Sequence, residues 1–281
     1  MIKTLLKTIA KIAAALLIFV VVSVVSMLAA CLIFDFRSGF PDMVNNTMGS
    51  SLGHALQSAL SIGMVIGIVI FLVKKKIVTF DMLGLNEACG KAAAKLGIGF
   101  IGGAAAVFVD IMIICAVDNS RITVFLDGTS ALTAVLCGIV IYASVGLSEE
   151  VLFRGFYQGL FGERKALGIV VTALLFAAVH LVNSAYSVVS LIYLIAGGFF
   201  FSLLREVTGS LWACIGFHAA WDWTEISVFG LNDEGREHWF FVGADELVSS
   251  IVCAALMALL CIILLLVYRF RNKGAKNEQK L

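Results

Sequence analysis

Three short stretches of this chain hold residue types that could do chemistry. The first is Ser148-Glu149-Glu150-Val151-Leu152-Phe153-Arg154. Positions four apart share a helix face, so Glu150 and Arg154 are spaced to pair. Glu149 points about 100° away from its neighbour and has no partner on its own helix. Acids that merely cap charge at a membrane boundary would account for Glu150 and Arg154, but poorly for Glu149. The second stretch, Phe176-Ala177-Ala178-Val179-His180, ends an apolar run on an imidazole. Alone, such a histidine fits packing as well as catalysis. The third, His218-Ala219-Ala220-Trp221-Asp222, sets an imidazole and a carboxylate on one face, where the acid can fix the ring's tautomer. Two chemistries suit this set. A desolvated carboxylate can serve as a general base on water, with imidazoles as proton donors or acceptors. Alternatively, Glu149, His180 and His218 resemble a zinc shell of two histidines and a glutamate, although no H-E-x-x-H run is present.

The elements that must carry these residues are membrane helices. The 281 residues are 61% hydrophobic and only 14% charged, too few charges to coat a water-soluble domain of this size. Runs of about 20 apolar residues, the length needed to span a bilayer, occur near 12–34, 52–73, 92–117, 130–147, 166–183, 187–204, 209–228 and 247–268. The fourth is expected to continue as helix to about 161. The expected fold is an all-α polytopic protein of about eight transmembrane helices. Basic residues test that count, because they accumulate in cytoplasmic loops. With the N-terminus inside, only Arg37, Arg121 and Arg236 fall outside, and both termini are cytoplasmic. A net charge of +1 gives no sign of a nucleic-acid partner.

The Lys-rich start and Leu28-Ala29-Ala30-Cys31 could mark a processed signal, but the apolar run continues to Phe34 and is long enough to span. The seven cysteines lie mostly in apolar stretches without a C-x-x-C pair and are expected to act as helix filler. Gly63 with Gly67 and Gly99 with Gly103 are G-x-x-x-G steps, expected to let helices pack closely within the monomer.

Depth links the three stretches. Counted inward at 1.5 Å per residue, Glu149 lies roughly 18 Å from its cytoplasmic end, His180 roughly 22 Å and His218 roughly 14 Å. Three helices are expected to deliver one carboxylate and two imidazoles to a similar level.

The same residues match a family pattern. Glu149-Glu150-x-x-x-Arg154, Phe176-x-x-x-His180 and His218-x-x-x-Asp222, in that order, resemble the motifs of type II CAAX prenyl endopeptidases and their bacterial relatives, the CPBP or abortive-infection family. Gly155-Phe156 and Ser210-Leu211-Trp212 are similar too. The resemblance covers about 130–228, a catalytic core between N-terminal helices at 1–129 and a last segment at 229–281 comprising an external loop, a helix and a basic tail. It implies an intramembrane endopeptidase, with Glu149 and His180 activating water and His218 with residue 222 stabilising the oxyanion. Glu150, Arg154 and Phe176 are expected in support. The family pattern has asparagine or aspartate at this position, and an ionised carboxylate cannot donate to an oxyanion, so Asp222 is either protonated or orients His218 while the imidazole alone donates. Metal-free chemistry is the preferred expectation, with zinc the alternative. The expected partners are the lipid bilayer and a hydrophobic or membrane-anchored peptide. The expected location is a bacterial cytoplasmic membrane, and the substrate and oligomeric state are not readable. The rival readings are a non-catalytic immunity or scaffold protein and a proton-coupled transporter, for which Asp110 would be the carrier.

Overall fold

The computed structural model describes residues 2–182, 187–233 and 237–278, with side chains over 9–182, 187–233 and 237–270. Arg236, used above for topology, lies outside the described residues. In chain order the helices are α1 (Ile2–Phe34), α2 (Phe40–Met48), α3 (Ser51–Lys74), α4 (Phe80–Leu83), α5 (Cys89–Asp118) and α6 (Gly128–Glu150). They continue with α7 (Lys165–His180), α8 (Leu191–Thr208), α9 (Leu211–Asp222) and α10 (Glu246–Glu278). Two short strands, β1 (Ile122–Val124) and β2 (Phe240–Val242), pair antiparallel. The chain is a nearly all-α multi-pass membrane protein.

Every apolar run singled out in the sequence is largely helical. Among the described residues, six helices are long and apolar enough to cross a membrane. The other two, α7 with 16 residues and α9 with 12, are shorter. The short helices α2 and α4 and the strand pair were not expected. Pro41 is the only proline and sits in the first turn of α2, where its missing N–H costs nothing. No spanning helix therefore loses a backbone donor to proline.

Two helices do not end where they would as simple α-helices. α6 passes directly into a π-helix over Val151–Tyr157, and α9 into another over Trp223–Val228. Such wide turns occur often at functional sites. The first is pinned by Tyr157, whose hydroxyl donates to Ile12 O of α1 at 2.9 Å. The second is pinned by Trp223, whose indole N–H donates to Val135 O of α6 at 2.9 Å.

The centre of the bundle is α9, buried over almost its whole length and packed between α5, α6 and α8. A helix apolar all round belongs in such a place. Its close fit against α5 depends on glycine: a Cβ at Gly99 or Gly103 would collide with the backbone of Ala213 or Phe217, and one at Gly216 with Leu96. Gly63 and Gly67 face nothing nearby and so do not serve this purpose.

The α8–α9 turn is clamped to the segment before α5. Leu211 N–H donates to Gly84 O at 2.8 Å, Ser210 Oγ to Glu87 at 2.9 Å, and Lys95 pairs with Glu87. Partial burial raises the Glu87 pKa, but Lys95 and Ser210 outweigh it and hold the carboxyl below its ordinary value. This clamp fixes the start of α9, and with it the height of His218.

Candidate active site

Glu149 and Glu150 end α6, His180 ends α7, and His218 and Asp222 lie on α9. The bundle brings all five together. Glu149 Oε2 stands 3.7 Å from His180 Nε2 and 3.9 Å from His218 Nε2. Asp222 Oδ2 is 3.5 Å from the same His218 Nε2. The Glu149 side chain remains 16% exposed, whereas that of Glu150 is fully buried. The neighbouring acids thus differ in exposure, although Glu149 Oε2 itself is buried and has no hydrogen bond from any described residue.

Each imidazole is held from its other nitrogen. His180 Nδ1 lies 2.7 Å from Phe176 O, a carbonyl that can only accept. Nδ1 must therefore carry the proton, and in a neutral ring Nε2 is an acceptor that, like the Glu149 carboxylate facing it, needs a donor between them. His218 Nδ1 lies 2.8 Å from Glu150 Oε1, which also accepts from Arg154 Nη1 at 2.8 Å. The sequence suggested Asp222 as the acid that sets the His218 tautomer. In the structure Glu150 bonds Nδ1, and Asp222 lies on the Nε2 side with Glu149.

Phe176 and Arg154 complete the frame. The Arg154 guanidinium is wholly buried, 4.3 Å over the Phe176 ring and 5.0 Å over Phe201, and it donates to Gly198 O at 3.3 Å. Phe201 also stacks on His218 with ring centroids 4.8 Å apart. Phe201 was not singled out in the sequence. Its one signal was the bulky Phe199-Phe200-Phe201 run directly after Gly197-Gly198. Gly198 packs against the backbone of Ala173, drawing α8 close to α7 and bringing Phe201 to the site.

Two further acids lie apart from this cluster. Glu225 accepts from Trp221 Nε1 at 2.8 Å. Asp110 is buried in α5, and its Oδ1 has no hydrogen bond from any described residue.

As placed here, Glu149 stands further from the two histidines than ligands on one zinc ion would. Nitrogen and oxygen ligands at about 2.0–2.1 Å from a tetrahedral ion lie roughly 3.3 Å from one another. The candidate donors are 3.7 and 3.9 Å apart.

Residues 131–224 match the family model of type II CAAX prenyl endopeptidase Rce1-like proteins. Over that segment the chain is similar to the CAAX-protease, or CPBP, family. The matched segment contains Glu149, His180, His218 and Asp222, and the match supports an intramembrane protease. No curated protein matches the chain. No solved structure matches it either.

Proposed function

We propose that this protein is an intramembrane endopeptidase that hydrolyses peptide bonds of hydrophobic or membrane-anchored peptides. The observation that carries this reading is the approach of Glu149 Oε2 to both Nε2 atoms at 3.7 and 3.9 Å. These separations exceed direct hydrogen bonds and suit groups that act on a shared water.

In this mechanism Glu149 takes a proton from water, with His180 Nε2 as the second acceptor that orients it. The water oxygen attacks the scissile carbonyl carbon, and the carbonyl oxygen takes up negative charge. His218 stabilises that oxyanion from Nε2–H. Its Nδ1–H is committed to Glu150, so the ring performs this task as the imidazolium. Glu149 then returns its proton to the leaving amine. Before the oxyanion forms, Asp222 holds the His218 ring from the Nε2 side, and it then yields that N–H to the oxyanion. All of these steps use side chains of the chain itself, without a metal.

The proposed topology has eight spans with both termini cytoplasmic, α7 and α9 being the two shorter ones. Peptide cleavage by the purified protein in detergent, compared with Glu149→Gln, tests the activity. Proteomics of peptides that accumulate in cells expressing Glu149→Ala would identify the substrate. A wild type inactive against those accumulating peptides would favour a non-catalytic scaffold.

A further inference from the structure

An apolar cleft of about 220 Å³ lies between α1, α3 and the α6–π segment. Its wall on α1 runs from Lys11 to Val22, and its wall on α3 from Leu72 back to Val65. The two helices are antiparallel along it. Eleven residues of helix correspond to roughly 16 Å, about half of a hydrocarbon core ~30 Å thick. The cleft is therefore as deep as one leaflet.

Its two ends differ. At the shallow end Lys11 lines the cleft, and Lys74, Lys75 and Lys76 form the exposed turn between the lining residues Leu72 and Ile77. No acid lines the cleft. Asp81, just beyond this turn, is engaged by Asn86 at 2.6 Å. At the deep end Ser148 lines it, one residue before Glu149. An apolar slot one leaflet deep beneath a lysine collar matches a single chain beneath an anionic headgroup, since each lysine near a membrane surface attracts anionic lipid.

We propose that this cleft holds one acyl chain of an anionic phospholipid, with the headgroup on Lys11 and Lys74–Lys76. The bound chain lies against the helix that carries Glu149 and forms part of the wall behind it. This inference does not depend on the peptidase reading, because it is tested by retention of lipid rather than by cleavage.

The experiment is native mass spectrometry of the full chain after delipidation, titrated with dipalmitoyl phosphatidylglycerol or dipalmitoyl phosphatidylcholine. Wild type should retain one phosphatidylglycerol on the order of tenfold more tightly than phosphatidylcholine. Lys11→Gln combined with Lys75→Gln should remove that preference. Ala15→Phe, which fills the cleft without changing charge, should abolish tight retention of both lipids while leaving the thermal midpoint within a few degrees. Equal retention of the two lipids, or retention unchanged in Ala15→Phe, would overturn the proposal. Displacement of the phosphatidylglycerol by a hydrophobic peptide at matched concentration would assign the cleft to substrate and overturn it as well.

Discussion

His218 Nδ1 sits 2.8 Å from Glu150 Oε1, so the second glutamate of the Glu-Glu pair reaches the ring whose far nitrogen faces the first. Glu150 Oε1 also accepts from Arg154, and all three side chains are buried. One motif therefore does two jobs on opposite sides of one imidazole. Glu149 remains the more exposed of the two acids. Glu150, Arg154 and the gap-filling Phe176 build the wall that orients the ring.

The two glutamates should accordingly separate in experiment. Glu149→Gln is expected to abolish turnover and leave folded yield and thermal midpoint unchanged, because only charge and basicity are removed. Glu150→Gln or Arg154→Leu should destabilise by roughly 3–5 kcal/mol, the cost of breaking a buried pair, and lose activity with the fold. Detergent-phase thermal unfolding beside a peptide-cleavage assay reads both quantities. Equal, stability-only losses at Glu149 and Glu150 would sink the catalytic assignment of Glu149.

Phe176 provides a contrast with His180. Its ring lies 4.3 Å from the Arg154 guanidinium, while its backbone carbonyl binds His180 Nδ1. Phe176→Leu keeps the carbonyl and loses the ring. The expected outcome is about 1–2 kcal/mol lower stability from the lost cation–π contact, with cleavage reduced far less than in His180→Ala. If both variants lost activity equally while remaining folded, the ring would have a role beyond packing.

The sequence singled out residues that the bundle brings together, but not how they meet. Acids and imidazoles are costly in lipid, so Glu149, His180 and His218 stood out against their apolar surroundings. The helical rise was enough to bring them to one level. What it could not supply was the rotation of α6 about its axis relative to α9, and that rotation decides which glutamate meets His218 Nδ1. Nor does any residue pattern announce the π-turns that begin at Val151 and Trp223, each directly after a site helix ends on an acid. α7 and α9 were read as full spans because apolar flanks extend their runs, whereas their helices proper have 16 and 12 residues.

Glycine packing sets the height of α9, and the two G-x-x-x-G steps should respond differently to substitution. Gly103→Val would drive a side chain into the Phe217 backbone, next to His218. It should cost at least 1–3 kcal/mol through overpacking and lower activity by displacing the ring. Gly67→Val, with nothing nearby to meet, should be close to neutral. Thermal midpoints of the two variants check this, and a neutral Gly103→Val would contradict the observed approach of α5 to α9.

The proposed topology yields its own test. Reporter fusions at Arg37 and Arg121 should read external, and fusions at Lys75 and Arg164 cytoplasmic. A cytoplasmic signal at Arg121 together with an external one at Arg164 would reverse the orientation and remove the charge argument for both termini.

Asp222 separates metal-free from zinc chemistry most sharply. Its Oδ2 stands 3.5 Å from His218 Nε2, on the side where Glu149 also faces the ring. Without a metal, residue 222 has only to hold His218 or help it meet an oxyanion. Asparagine does both, because its carbonyl oxygen accepts from the imidazole and its amide adds a donor. Asp222→Asn should therefore retain substantial activity, and chelators should have little effect. In a zinc site the same carboxylate would bind the metal or raise the basicity of a ligand, and such losses typically cost roughly 10–100-fold in affinity or activity. The measurement is cleavage by wild type and Asp222→Asn with and without chelator, alongside metal analysis of the purified protein. Stoichiometric zinc, chelator-sensitive cleavage and a crippled Asn variant would require Glu149, His180 and His218 to draw together from the 3.7 and 3.9 Å separations seen here, and would overturn the metal-free mechanism. An active, metal-free Asn variant would leave Glu149 and His180 as the pair that activates water.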